Sequence, residues 1–418
     1  MLRERMSNTF PKPCSQIDPG STPAGVALQL RDRDGFIFLD SSSDDGELSI
    51  IAAEPSAVLH GNIHDPNSRQ LLRAHLRPTA AGNADTGLPA GGLFGSIDFD
   101  GSFTFGRYDD YLVFQHRDAR WWQVGEGVRL AAAEHSCPIV RTLGEFEATV
   151  DRKQYLEMVE RAKEYIAAGD IYQVNLAQRF RTRWSQGDDA FGLYLKLREC
   201  SPAPHSAFLD LAGRQVLSSS PETFLKMSGN LIQTRPIKGT RPRFRDAELD
   251  ERSAYDLRTC QKENAELIMI TDLERNDLGQ ISEFGSVQAI ELLKLERFAH
   301  VFHLVSTVQG TLRPELDHVE ALWKCYPGGS ISGAPKKRAL EIIDELEPDP
   351  RGLYTGAIGY LGDNGESQFN IAIRTAVAEG DEISFHVGAG IVADSVPAKE
   401  YEETLHKAAG LLEALRRS

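Results

Sequence analysis

An α+β layered sandwich is the fold class this sequence predicts. Helical periodicity arrives in blocks, and the strand-like runs between those blocks are not spaced as regular βαβ units, which disfavours a doubly wound parallel sheet. At 418 residues the chain also exceeds the size of one ordinary core, so a two-lobed unit or two domains are expected.

The elements follow in order. Residues 1–25 carry charge, proline, serine and glycine but no apolar core, and read as a flexible N-terminal arm rather than a secretory signal. Residues 26–150 read as an N-terminal scaffold lobe of short strands (27–30, 35–39, 48–52, 92–97 and 111–114) broken by Asp-Gly and Asp-Asp turns. Residues 143–150 bridge to a catalytic region, 151–418. That region opens on a helix over 152–168, with Tyr155, Leu156, Val159, Ala162, Tyr165 and Ile166 at helical spacing and Gly169 as its stop. Strand-like runs at 172–176, 206–210, 215–218 and 231–234 precede a second helix over 254–273. A third helix runs from Ala334-Pro335 to about Leu346, followed by strands at 356–361, 368–375 and 382–387. The last helix spans 397–416, capped by Asp394 or Ser395, with Tyr401, Leu405, Ala408, Leu412 and Leu415 expected on its core face.

Composition excludes several functions. The 41% hydrophobic and 26% charged fractions are those of a soluble globular protein, and the net charge of −15 argues against non-specific nucleic-acid or anionic-membrane binding. No apolar run reaches the about 18 residues that a spanning helix needs. Five scattered cysteines (Cys14, Cys137, Cys200, Cys260 and Cys325), with no C-x-x-C spacing, suit reduced thiols in a cytoplasmic protein.

The most informative segment is Thr234-Arg235-Pro236-Ile237-Lys238-Gly239-Thr240-Arg241-Pro242-Arg243. Three neighbouring guanidinium groups disfavour a further cation, so Lys238 is expected to lose its proton readily and to serve as nucleophile or base. A solvated basic loop fits the same residues. Two Glu-x-x-Glu pairs, Glu263/Glu266 on the second helix and Glu400/Glu403 on the last, suit Mg2+, which takes oxygen ligands and keeps waters a carboxylate can displace. Either pair alone also suits a solvated helix face. Pro327-Gly328-Gly329-Ser330-Ile331-Ser332-Gly333, running into a helix with Lys336 and Lys337, reads as an anion cradle or as an ordinary capped helix. Gly388-Ala389-Gly390 reads as a loop after a strand, and Arg374 as a strand-end carboxylate clamp or a surface ion pair.

Together these pieces resemble the chorismate-utilising family: anthranilate synthase component I, aminodeoxychorismate synthase component I, and the isochorismate and salicylate synthases. The resemblance covers about residues 155–407. It rests on Gly169-Asp170-Ile171-Tyr172-Gln173-Val174-Asn175-Leu176, Ser220-Pro221-Glu222, the Lys238 segment, and Ala265-Glu266 leading to Asp272-Leu273-Glu274-Arg275-Asn276-Asp277. His303, the Ser330 loop, Tyr354, Arg374, Gly388 to Gly390 and Glu400 to Lys407 complete it. It implies two mainly antiparallel sheets flanked by helices. Gln173 stands where water-using members place a lysine base, and Lys238 where anthranilate synthases place alanine. The P-I-K-G-T form therefore resembles the aminodeoxychorismate synthase branch.

The resemblance implies the following roles. Mg2+ on Glu266 and Glu403, with Glu263 and Glu400 close by, anchors the ring carboxylate of chorismate. Lys238 attacks C2 while Glu222 protonates the departing C4 hydroxyl, and ammonia then displaces the lysine at the end of 4-amino-4-deoxychorismate formation. Ser330, Tyr354, Arg374, Gly388, Ala389, Gly390 and Lys407 grip the carboxylates, and Thr240 and His303 line the pocket. A tryptophan-sized pocket falls near Ser41, Ser49, Pro204, His205 and Ser206. No cysteine sits in a glutaminase context, so ammonia is expected from solution or from a separate glutaminase subunit in a heterodimer. Anthranilate formation, a catalytically silent chorismate-binding subunit and a plain acidic Mg2+-binding protein are the competing readings.

Overall fold

A computed structural model describes residues 14–43, 46–78, 87–130, 143–185, 187–298 and 301–416. Its strands form two large sheets, and the strand pairings among the described residues are antiparallel. The larger sheet runs Cys14–Ile17, Arg120–Val124, Tyr111–Gln115, Leu48–Ala52, Ile37–Asp40, His205–Leu211, Arg214–Ser220, Thr375–Glu379, Glu382–Ile391, Gln173–Arg183 and Gly333–Ala334. The other runs Ile237–Pro242, Val301–Thr311, Leu231–Arg235, Thr223–Ser228, Glu366–Ile371, Ala357–Gly362, Gly92–Ile97, Ser102–Tyr108 and Ala57–Asn62. Strands from residues 26–150 and from 151–418 share both sheets.

The α+β layered sandwich expected from the sequence is therefore what the chain builds. Inner faces meet in a core that includes Ile50, Phe94, Tyr108, Leu209, Val216 and Tyr360. Helices cover both outer faces: Pro23–Leu30, Ala190–Cys200 and Pro397–Arg416 lie over the larger sheet, and Pro66–His75 and His318–Cys325 over the other. Under the first group Phe191 packs edge to face against Phe36 and against Phe208, each pair adding about 0.5–1.5 kcal/mol beyond the area it buries. No helix among the described residues is long and apolar enough to cross a membrane. Cys14, Cys200, Cys260 and Cys325 are free thiols, and Cys137 lies outside the described residues.

Several elements differ from expectation. The flexible arm is not what residues 14–25 form: Cys14–Ile17 pairs with Arg120–Val124, and Thr22 caps a helix that begins at Pro23. That cap makes 27–30 helical rather than a strand, the Thr22 side chain accepting the Gly25 N–H. The expected helix over 254–273 is two, Ala247–Thr259 and Gln261–Gly279, because Cys260 is extended (φ −69°, ψ 103°). The run 368–375 is two strands in different sheets, interrupted where Arg374 turns to φ +50°. On the last helix Ala408 and Leu415 are buried as expected, but Leu405 is exposed, and Glu400, Thr404 and Leu411 are buried as well. The helix starts at Pro397, leaving Ser395 to accept the Val392 N–H rather than cap it.

Two short crossings between the sheets place the chemistry. Arg214–Ser220 passes to Thr223–Ser228 through Pro221-Glu222, and Glu366–Ile371 passes to Thr375–Glu379 through Ile373-Arg374. The crossings are tied together: the Ile371 N–H donates to the Glu222 carbonyl at 3.0 Å and the Ser220 hydroxyl to the Ile371 carbonyl at 2.5 Å. Glu222 and Arg374 thus leave the sandwich at one point.

Candidate active site

At that point a cavity of 960 Å3 opens, lined by Glu222, Lys238, Thr240, His303, Ser330, Tyr354, Arg374, Gly388, Gly390 and Lys407, with Glu263, Glu266, Glu400 and Glu403 on its helical wall. Of the residues expected there, Ala389 alone does not line it. The segment 388–390 is not a loop but part of the strand Glu382–Ile391, paired Ala177 to Gly388 and Asn175 to Gly390. Strand alternation turns the intervening Ala389 into the core under the flanking helices. The glycines still serve close approach. A Cβ at Gly388 would stand 2.8 Å from the Tyr354 hydroxyl, and one at Gly390 2.6 Å from Gln173 Nε2.

Lys238 lies on the strand Ile237–Pro242, which bulges at Gly239 (φ +76°) as it pairs with Val301–Thr311. The crowd of cations expected around it is not what the fold builds. Arg235 pairs with Glu296 (2.6 Å), Arg241 with Glu263 (2.8 Å) and Arg243 with Asp250 (2.8 Å). Lys238 instead faces carboxylates: against the upward push of burial, its charge pulls on the titration of Glu222, Glu266 and Glu403 in the downward direction.

Glu222 is buried, and burial raises its pKa above the usual carboxylate value against the pull of Lys238 and the Ser330 hydroxyl. Burial disfavours the charged form of the carboxyl, the direction a general acid needs. Burial, with Arg374 nearby, lowers the His303 pKa to about 4, so its ring is neutral. His303 Nδ1 lies 3.2 Å from the Gly239 carbonyl, which can only accept, so Nδ1 carries the hydrogen; Thr240 Oγ1 lies 3.0 Å from the same nitrogen. Tyr354 stacks on His386 with ring centroids 5.5 Å apart.

Two cations in the cavity, Lys238 and Arg374, lie within ion-pair distance of no carboxylate among the described residues. Lys407 differs, pairing with Glu403 at 2.8 Å and donating to the Gly388 carbonyl at 2.8 Å. Among the described residues of the lining, four buried polar atoms, Gln173 Oε1, Asn175 Nδ2, Glu263 Oε2 and His386 Nε2, have no hydrogen-bond partner. Such atoms are rare in folded proteins and are usually met by a ligand or water.

The helices Gln261–Gly279 and Pro397–Arg416 bring the two glutamate pairs to one wall, where Glu403 and Glu263 both push the Glu266 pKa up, after burial as the main cause. No three of the described acidic, histidine or cysteine residues stand close enough to hold a metal as they are arranged. The four glutamates nonetheless line one wall, and one carries a spare buried oxygen, a donor type that suits a hard divalent cation.

The cradle at 328–332 gives the largest departure. Its amides are not open to a ligand, because Glu274 fills them: Oε1 accepts from Gly329 N–H at 3.1 Å and Ser330 N–H at 3.2 Å. Lys336 is spent on Asp277 (2.5 Å) and on the carbonyls of Cys325 and Pro327. The Ser330 hydroxyl donates to Glu222 Oε1 at 2.7 Å. Sequence reading quoted Glu274 and Asp277 within a motif but gave them no role. The available signal was their spacing, i and i+3, on the buried side of a helix.

The second expected pocket is a cavity of 130 Å3 between the sheets, lined by Ser41, Leu48, Ile50, Pro204, His205 and Ser206. Ser49 points the other way, donating to Asp40 (2.9 Å) and lying 2.8 Å from His116 Nε2, as alternation along Leu48–Ala52 requires.

Comparison with known proteins agrees with this arrangement. The sequence profile of the chorismate binding enzyme family matches residues 42–413. Aminodeoxychorismate synthase component 1 of Bacillus subtilis is 41% identical over 331 residues, 74% of this chain and 70% of that protein. Anthranilate synthase component 1 of Aquifex aeolicus is 46% identical over 264 residues, 63% of this chain and 53% of that protein, so the match spans about half the length of this second relative. The crystal structure of anthranilate synthase component I from Streptococcus pneumoniae superposes with a TM-score of 0.78 at 30% identity, covering 88% of this chain and 92% of that one. With a matching fold, a profile over most of its length and a cavity holding the motif residues together, this chain belongs to the chorismate-binding enzyme family.

Proposed function

We propose that this chain aminates chorismate to 4-amino-4-deoxychorismate, and that Lys238 acts as a covalent nucleophile. The observation that carries the reading is the placement of Lys238: it faces the cavity beside the buried Glu222, with no carboxylate at ion-pair distance among the described residues.

The chemistry divides one hard displacement into two easier ones. The Lys238 amine forms a bond to C2 of the ring as the double bonds shift and the C4 hydroxyl departs. Hydroxide is a poor leaving group, so Glu222 gives it a proton and it leaves as water. Ammonia then bonds to C4, the double bonds shift back, and the Lys238 amine is expelled from C2. The proton shed by the incoming nitrogen returns to Glu222. The balance is chorismate plus ammonia giving 4-amino-4-deoxychorismate and water. Arg374 offers a bidentate grip on a substrate carboxylate, and its buried setting strengthens that bond. Gln173 supplies no base for water at the position the family reserves for one, which favours ammonia over water as the second nucleophile.

Glu266 and Glu403, with Glu263 and Glu400 beside them, would hold Mg2+. The ion would supply positive charge to anchor the ring carboxylate and offset the like charges of Glu403 and Glu263 beside Glu266. Ammonia would come from a separate glutaminase subunit in a heterodimer. The setting would be cytoplasmic, in 4-aminobenzoate and folate synthesis.

The test is product identification by mass spectrometry after incubating the chain with chorismate, Mg2+ and an ammonium salt. The aminodeoxychorismate mass is expected. Anthranilate with pyruvate, which the 46% identity to anthranilate synthases keeps in view, would refute the reading of Lys238. No turnover, with or without an added glutaminase subunit, would leave the silent-subunit reading standing.

A further inference from the structure

We propose that Glu274 is a positioning residue for the general acid: its side-chain carboxyl oxygen fills the amide cradle of the 328–332 turn and so aims the Ser330 hydroxyl at Glu222. The inference rests on the reading of Glu222 as the acid.

The contacts form one chain. Glu274 Oε1 receives both the Gly329 and Ser330 N–H groups, and Oε2 lies 3.4 Å from Thr234 Oγ1, so the carboxyl is held at both oxygens. Ser330 donates its hydroxyl to Glu222 Oε1 at 2.7 Å. One residue thus contacts both carboxyl groups, through its backbone to Glu274 and through its side chain to Glu222. The hydroxyl rotor of an unrestrained serine has three wells; the fixed backbone at Ser330 limits which of them reaches Glu222. The Ser330 hydroxyl and the Ile237 N–H both donate to the Glu222 carboxyl, and together they fix its orientation at the cavity.

The arrangement is costly in other respects, which argues that it is kept for this geometry. Glu274 is 4% exposed and sits among further acids, Asp277 on its own helix and Glu222 across the turn. Burial, then Asp277, raise its pKa to about 8 against Lys336 from the helix Lys336–Leu346. A buried acid that only supported packing would be replaced at no loss by an apolar side chain of similar volume. An apolar side chain there would strand two amide donors and release the turn. Packing around the turn is tight as well: a Cβ on Gly329 would stand 2.8 Å from the Leu273 side chain and 3.1 Å from Glu274 Oε1.

Five variants of the full chain test this by steady-state chorismate consumption, counted whatever the product. Glu274→Ala should lower kcat by about 10- to 100-fold, short of the roughly 10²–10⁴-fold expected for the acid itself, with KM within about twofold of the parent. Glu274→Gln, whose amide oxygen still accepts both N–H groups, should restore most of the lost kcat. Glu274→Asp, one methylene too short, should not, and Ser330→Ala should match Glu274→Asp. Should Glu274→Ala fail to fold, the contrast between Gln and Asp decides alone. An unimpaired Glu274→Asp, a Gln variant as poor as Asp, or a loss confined to KM would each overturn the inference. Glu222→Gln at full turnover would overturn both this inference and the function reading beneath it, whereas an impaired Glu222→Gln beside an unimpaired Glu274→Asp would overturn this one alone.

Discussion

The 960 Å3 cavity around Lys238 and the 130 Å3 cavity around His205 are built from the same two sheets, yet they treat their polar groups differently. In the smaller one the groups answer each other. Glu47 pairs with Lys226, Arg235 with Glu296, His205 with Thr223 at 2.7 Å, and the Ser41 hydroxyl meets the Leu48 and Pro204 carbonyls. In the larger one Arg374 and Lys238 lie at ion-pair distance from no described carboxylate, and Gln173 Oε1 and Glu263 Oε2 have no partner. Unanswered polarity in a large cavity marks where a charged ligand completes the structure, whereas the smaller cavity is electrostatically closed.

The predictions sharpen that contrast. Lys238→Ala should abolish detectable aminodeoxychorismate formation, and Glu222→Gln should lower kcat by about 10²–10⁴-fold, both read in the mass-spectrometric assay. Near-parental rates in either variant would remove the larger cavity's claim to the chemistry. Arg374→Ala should raise KM for chorismate by about 10- to 100-fold, the worth of a charge-assisted hydrogen bond of about 1.5–3 kcal/mol, with kcat much less affected. Glu403→Gln should raise the Mg2+ concentration for half-maximal activity several-fold, on the order of a single lost oxygen ligand; a titration matching the parent would contradict the glutamate site.

Acid should expose the buried histidines of both cavities. Burial holds His303 and His205 at about 4, below the unfolded value of about 6.5, so between those limits the unfolded chain binds protons the folded chain refuses. Their contribution is therefore fully present above about pH 6.5 and is lost as pH falls through 4, seen as a declining Tm. His205→Gln should flatten that decline without changing kcat. Glu274 has the opposite sign: raised to about 8, its contribution is present below the unfolded carboxylate range and lost as pH rises through 8. The smallest effect belongs to the Glu47–Lys226 pair. Its partners are half-exposed, so Lys226→Ala should cost at most about 1 kcal/mol by denaturant melting and leave turnover unchanged.

Local pattern carried far in this chain. The helix Arg152–Ala168 and its left-handed stop at Gly169 (φ +84°) fall where the 3.6-residue periodicity places them, as do the strands Leu48–Ala52 and Gly92–Ile97. Where the sequence misled, a nearby interaction outweighed composition: Thr22-Pro23 turned a strand-like run into a helix, and extended Cys260 split one helix into two. The glycines at 388 and 390 read as loop residues because glycine is common in loops, but here they make room for Tyr354 and Gln173 within a strand.

By itself the sequence determined the α+β class and most element positions, because periodicity and caps are written within a few residues of one another, and its resemblance to the chorismate-utilising family picked out the residues that gather in the larger cavity. Tertiary structure alone decided which strands share a sheet, that two crossings deliver Glu222 and Arg374 to one point, that the arginines near Lys238 are paired, and that Glu274 occupies the cradle at 328–332. Those outcomes depend on groups far apart in the chain competing for the same partner. The winner is set by distance and burial, neither of which any local window of residues contains.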